Sequence, residues 1–222
     1  DRKVKPDVEK TIESLDNRGF DNNYTAAYFP DVEIDDLENT RRVKVPPSVP
    51  ALASLAFNDK VAFPWFAPAG FNRAALGFVK NVDVRLSAPD RDDLYEARIN
   101  PIATFPRTGF VIFGQKTMQQ AKSALDRVNV RRLLNECKRI IGDIAQGLLF
   151  EPNTPATRQR FVSQSVLQLG VIQAQAGLEN FKVVMDGSNN TQKDVEENKL
   201  NGTIVVVPTR TVEFIAIDFI IT

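Results

Sequence analysis

The sequence predicts an α/β fold of mixed α+β character, a mixed sheet packed with two long helices. Three observations predict it. Two long stretches, around residues 126–148 and 155–176, repeat apolar residues at intervals of three and four, which is one face of a helix. Runs rich in β-branched and aromatic residues, punctuated by Pro, Gly and Asn, stand on both sides of those stretches, as strands do. The chain has 222 residues, 43% of them hydrophobic and 25% charged, which is the composition of one large globular domain or two small ones.

Taken in order, residues 1–22 are polar, with one amphipathic stretch (Val8, Ile12, Leu15) that predicts a short helix. The segment Tyr24 to Ile34 mixes aromatic and β-branched residues around Pro30, the pattern of an edge strand or two short strands. Arg42 to Val45 reads as a strand stopped by Pro46-Pro47, after which Ser48 is placed to cap a helix through Ala51, Leu52, Leu55 and Ala56. The stretch Phe63 to Gly70 is turn-rich and holds the only Trp. Asp90 to Ala97 predicts a short helix whose acids complement the N-terminal end of the macrodipole. Strands follow at Ile102 to Phe105 and Phe110 to Gly114.

The clearest helix runs from Asp126 to Leu148, with Val130, Leu133, Leu134, Cys137, Ile140, Ile141, Ile144 and Leu148 on one face. Arg131, Arg132, Lys138, Arg139 and Asp143 are expected off that face. The second helix begins at Thr154-Pro155, carries the stripe Phe161, Ser165, Leu169, Ile172 and Ala176, and is expected to end at Gly177. A strand (Phe181 to Met185), a polar turn (Gly187 to Thr191) and a helical piece near Asp194 to Asn198 come next. Asn201-Gly202 reads as a tight turn into a strand Thr203 to Val207, broken by Pro208 and followed by a long final strand from Val212 to Ile221.

Charge and absences bound the function. Lys plus Arg is 28 and Asp plus Glu is 28, so the net charge is zero and there is no basic excess to displace counterions from nucleic acid. A neutral chain also lacks the self-repulsion that keeps copies apart. With no His and a single Cys, neither a Ser-His-Asp triad nor a His or thiolate metal site can be built. The longest apolar runs fall far short of the ~20 residues a membrane helix needs, so no membrane anchoring is expected.

The candidate chemistry has structural explanations. Gly109 to Gly114 lacks the Gly-Lys-Ser/Thr ending of a phosphate loop and reads as a strand. Asp90, Asp92 and Asp93 have the hardness for Mg²⁺ or Ca²⁺, but a negative first helical turn accounts for them. Asn189-Asn-Thr191 and Asn201-Gly-Thr203 match a glycosylation pattern by chance, and Trp65 reads as a packed anchor for its loop. No catalytic, cofactor or metal residue is assigned. Two features stand out. The final strand is about twice the usual length and apolar on both faces over its last half, fit either to be a central strand or to pair with another subunit. Arg158 and Arg160 sit at the start of the second long helix, where positive charge opposes the macrodipole; they are either solvated surface or face an acidic partner.

Several segments, in order, resemble the contractile tail sheath proteins of phages and related injection machines. They are "AAYFPDVEI" (26–34), "VPPSVPALASLAFNDK" (45–60), "FPWFAPAGFNRAALG" (63–77), "INPIATFPRTGFVIFGQKTM" (99–118), "NVRRLLNECKRII" (129–141), "FEPNTP" (150–155) and "EFIAIDF" (213–219). The family usually has Trp where Phe113 stands and Arg where Lys116 stands. The resemblance covers residues 24–222 and implies a sheath core domain over 23–222, made of a strand and helix segment (23–88) and an α/β part (89–222). Residues 1–22 then read as the end of a preceding insertion domain or a linker, and the chain as the carboxy-terminal, tube-facing part of a longer protein.

The resemblance implies a structural subunit and not an enzyme, needing no cofactor. Such subunits polymerise in six-fold rings stacked helically around an inner tail tube, between baseplate and tail terminator, and contract to drive the tube through the host envelope. The implied location is the virion tail sheath, assembled in the host cytoplasm. On this reading Phe214, Ile215, Ile217, Phe219 and Ile221 exchange a strand with a neighbour whose edge lies in the Tyr24 to Ile34 region, and Arg158 and Arg160 face the tube. The alternatives are the sheath of a bacterial contractile injection particle, or an α/β small-molecule-binding domain or enzyme using carboxylates.

Overall fold

A computed structural model of the chain describes residues 7–36 and 38–213. The fold is α+β, and the chain divides into two compact units, residues up to 134 and residues from 135 onward. Where one mixed sheet was expected, the described strands form three small sheets.

In the first unit, α1 (Val8–Asp16) starts at Asp7, whose side chain accepts from the Glu9 amide. β1 (Ala27–Phe29) and β2 (Val32–Asp36) are the two short strands the Pro30 interruption predicts, with a cis peptide at Phe29–Pro30 between them. β3 (Arg41–Val45) leads to α2 (Ser48–Val61), then β4 (Val79–Val82), α3 (Ala88–Glu96), β5 (Ile99–Phe105) and β6 (Gly109–Ile112). β1 lies parallel to β5 and β5 antiparallel to β6. β2 sits between β3 and β4, antiparallel to both. Val32, Ala51, Ala74, Leu76, Val79, Val82, Ile102 and Ile112 form the main core here. A second cluster, Phe29, Leu86, Leu94 and Ile99, is covered by Val8, Ile12 and Leu15 of α1, so the amphipathic spacing near the start of the chain is spent on packing.

Several boundaries differ from the expectation. Ser48 is the first residue of α2 and not its cap; Pro47 holds the cap position with no side-chain hydrogen bond. α3 starts at Ala88 because Ser87 and Asp90 form a capping box, each side chain bonded to the other's backbone amide. β4 had no counterpart in the sequence reading, its four residues being too short to show a period.

A 3-10 turn (Ala124–Asp126) precedes α4 (Val128–Gln146), within which the two units divide. In the second unit, α5 (Pro155–Ala174) is followed by β7 (Leu178–Val184), α6 (Gln192–Glu196) and β8 (Thr203–Pro208). β7 and β8 pair antiparallel, and Pro208 stays in register opposite Leu178, so it ends the strand without interrupting it. Asn201-Gly202 is the close of a long α6-bearing connection and not a two-residue hairpin. Leu148, Phe161 and Met185 are buried together, with Ile141, Ile144, Val183 and Ile204 against them. The left-handed residue that closes α5 comes one position before the Gly: Ala176 takes it at φ 58°, and Gly177 donates back to the Ile172 carbonyl at 2.9 Å.

Candidate subunit interfaces

Arg158 and Arg160 stand at the head of α5, on a turn that is pinned from several directions. Thr154 Oγ1 accepts from the Thr157 amide at 3.3 Å, and Thr157 Oγ1 donates to the Pro152 carbonyl at 2.7 Å. Asn153 Nδ2 donates to the Lys199 carbonyl at 3.0 Å. The Arg158 guanidinium donates to Asn153 Oδ1 from Nε and Nη2, at 3.2 and 3.0 Å. Arg160 pairs with Glu151 at 3.4 Å, both side chains nearly half exposed. Both arginines therefore brace the loop before their own helix. Two residues apart, they lie on different sides of α5 and do not form one flat face.

The strand-exchange residues Phe214, Ile215, Ile217, Phe219 and Ile221 lie outside the described residues. Of their expected partner region, β2 is central, with β3 and β4 on its two edges, so Val32 to Ile34 has no edge to offer. β1 is at the edge of its sheet but is three residues long. Among the described residues the β7–β8 pair keeps both outer edges without a strand, and Val205 and Val207 of β8 are exposed.

Arg131, expected on the polar side of α4, is buried; its guanidinium lies 4.2 Å from the centroid of the Tyr24 ring and donates to Asn23 Oδ1. Arg132 keeps to the surface, donating to Asp59 Oδ1 at 2.7 Å and to the Pro64 carbonyl at 3.3 Å. The remaining candidates serve the fold. Trp65 is buried and stacked on Phe63 at 5.0 Å, and its carbonyl accepts from Asn129 Nδ2. Asp90 and Asp194 cap helices, and hydrogen bonds from Ser87 and Thr191 hold their carboxyls below the usual range. Asn190, buried, ties Asp186 to Asn201. Gly109 to Gly114 contains β6, and Lys116 beyond it donates from Nζ to the Tyr95 carbonyl at 2.6 Å. Burial pushes the Cys137 thiol up to about 11. Among the described residues no group of three His, Cys, Asp or Glu is placed to hold a metal ion.

Exposed apolar residues are what sequence reasoning missed. α2 turns Val49, Leu52, Phe57 and Val61 outward while burying Ser54 and Asn58. Phe71, Phe105 and Phe113 meet in an exposed aromatic cluster. Leu149 and Phe150 project from the loop before α5. Periodicity reports which residues share a face and not which face is covered, so no signal in the sequence marked them.

Residues 120–222 match the family model described as phage tail sheath C-terminal domain. Over 203 residues the chain is 39% identical to the tail sheath protein of Vibrio phage KVP40, an alignment covering 91% of this chain and 29% of that protein. The chain belongs to the phage tail sheath family. It is also 34% identical over 167 residues to the tail sheath protein of Enterobacteria phage T4, covering 75% of this chain and 25% of the relative. This sheath chain thus spans between a quarter and a third of the length of the curated relatives it matches. Its fold is similar to that of a sheath complex from PVC, an extracellular contractile injection system, in the contracted state. That likeness has TM-score 0.86 and 24% identity, and covers 98% of this chain and 61% of the other.

Proposed function

We propose that the chain is the carboxy-terminal, tube-facing core of a contractile sheath subunit, with residues 1–22 the end of a preceding insertion domain and 23–222 the sheath core. The observation that carries this reading is the 39% identity across 91% of the chain to a phage tail sheath protein. The role is mechanical: subunits stack in six-fold rings around an inner tube, between baseplate and terminator. The assembly passes from an extended state to a contracted one of lower free energy, driving the tube through the host envelope. No catalytic step is assigned, as befits a family of structural proteins. The working location is the tail of a virion, after assembly in the host cytoplasm.

Subunit linkage falls to the last strand, Phe214 to Ile221, paired with a neighbour. The open edges of β7 and β8 support an acceptor there better than the central strand β2 does. About six backbone hydrogen bonds at about 1 kcal/mol each tether neighbours without freezing their motion. The head of α5, with Arg158 and Arg160, is proposed to face the tube. Negative-stain microscopy of the full-length parent tests the core of the proposal: hollow, cogwheel-sectioned tubes are expected, and a parent that stays monomeric at every salt and concentration overturns it. Deleting Phe219 to Thr222 is expected to abolish ring-to-ring linkage, and reversing the charge of Arg158 and Arg160 to weaken tube binding. The fold likeness to an injection-system sheath supports a second reading, the sheath of a bacterial injection particle.

A further inference from the structure

Phe150 is fully exposed, at 104%, and holds a left-handed backbone with φ 67°. For a bulky L residue that conformation is strained, and an exposed phenyl ring recovers none of the cost on its own chain. The loop carrying it is anchored at both ends. Leu148, two residues before, is buried in the core of the second unit, and two residues after, the Pro152 carbonyl accepts from Thr157. Asn153 is tied to the Lys199 carbonyl. The ring is thus held outward by a braced loop, with Leu149 exposed beside it and Glu151 next in the chain.

The first unit displays the complementary surface. Phe71, Phe105 and Phe113 lie with ring centroids 4.9 to 5.8 Å apart, and Phe71 and Phe113 are more than two-fifths exposed. Arg91 lies over the Phe105 ring at 5.1 Å, and Arg107 stands exposed in the β5–β6 turn two residues beyond Phe105. Asp92 and Asp93, the acids next to Arg91, project about 100° and 200° away around α3. The cluster is therefore an exposed aromatic patch with a cationic rim, and Glu151 beside the projecting Phe150 is a nearly half-exposed carboxylate, 3.4 Å from Arg160 of its own chain.

We infer that Phe150 of one copy packs on the Phe71, Phe105 and Phe113 patch of a second copy, with Glu151 reaching Arg91 and Arg107 from its half-exposed pair with Arg160. The occupant is a second copy because the unburied ring with a carboxylate beside it and the aromatic patch with cations at its rim are on this same chain. Knob and patch are different surfaces, so the contact is heterologous and propagates an open array, where an isologous contact closes as a dimer. A single phenyl ring buries far less than the roughly 1,200–2,000 Å² of a stable pair, so the contact works as one of many in a polymer. The inference rests on the sheath reading.

The test uses the full-length parent carrying Phe150→Cys and Phe71→Cys together, assembled and treated with a short bismaleimide, beside each single variant and the unsubstituted parent. A ladder of dimers, trimers and higher species on a denaturing gel, in the double variant alone, is the expected result. Polymers that form without a ladder in both the extended and contracted states overturn the inference and leave the sheath reading standing. A cross-link closed within one chain overturns it equally. A parent that forms no polymer removes the sheath reading and the inference together. In a second variant, Phe150→Ser, the monomer is expected to keep its circular dichroism and melting, while the concentration for half-assembly rises about tenfold or more. An unchanged assembly curve contradicts the contact.

Discussion

Replacing Ala176 by Gly should stabilise the protein, because this one residue ends α5 in a conformation that suits Gly. Ala176 stands at φ 58°, with its amide bonded to the Gln173 carbonyl at 3.0 Å and the next amide, Gly177, bonded to the Ile172 carbonyl at 2.9 Å. That is the full pair of bonds of a Schellman ending, with Ala where Gly is usual. The left-handed pose costs an L residue about 1–2 kcal/mol. Gly removes that cost but gives the unfolded chain about 0.4–1 kcal/mol of extra freedom. Ala176 is exposed, so its methyl takes little packing with it. The net gain is about 0.5–1 kcal/mol, which for a chain of this size raises the melting temperature by about 1–4 °C. Gln168→Gly, at an exposed position in the middle of the same helix, is the control and should lose about 0.5–1 kcal/mol. Urea unfolding followed by circular dichroism measures both, and hydrogen exchange at the Gly177 amide reports the cap directly. An Ala176→Gly protein no more stable than the parent chain, with Gly177 exchanging faster, would refute the reasoning.

Three further outcomes are expected. Asn100 is fully buried and makes three hydrogen bonds, donating to the Ala27 and Lys116 carbonyls at 3.0 and 2.8 Å and accepting from the Lys116 amide at 2.6 Å. Asn100→Ala should cost about 3 kcal/mol in urea unfolding, and a loss under about 1 kcal/mol would contradict the network. Ser165 is fully buried in α5 and its hydroxyl has no hydrogen-bond partner among the described residues, so Ser165→Ala should gain about 1 kcal/mol by the same assay, and a loss would contradict that account. Burial pushes the Tyr28 phenol up to about 12 against an ordinary value of 10.0. Between those values the folded chain holds a proton the unfolded chain has released, so its contribution is whole below pH 10 and is lost as pH rises toward 12. Tyr28→Phe should flatten stability across that window, and an unaltered alkaline profile would exclude burial of the phenol.

What the sequence determined by itself was local. Thr154-Pro155 starts α5 where expected, because a hydroxyl cap and a ring-fixed φ act within one turn. The three-and-four spacing of Leu133, Cys137 and Leu148, and of Phe161, Leu169 and Ile172, placed both long helices and their buried sides. Val8, Ile12 and Leu15 were visible as an amphipathic helix, but their partners Leu86, Leu94 and Ile99 were not. The absence of His and the zero net charge narrowed the chemistry before any coordinate was needed.

What only the tertiary structure decided concerns which surfaces are covered. β4, four residues long, exists because β2 offers it an edge. Arg131 and Arg132 are adjacent and chemically alike, yet one is buried over Tyr24 and the other pairs with Asp59 at the surface. Ala176 and not Gly177 takes the left-handed turn, since the last helical hydrogen bonds are set by where α5 must stop to deliver Leu178 into β7. Nothing in the sequence marked the exposure of Phe150 or of the Phe71, Phe105 and Phe113 cluster. Side-chain period fixes which residues share a face, whereas burial depends on what the rest of the chain brings against that face, and that is a property of the folded whole.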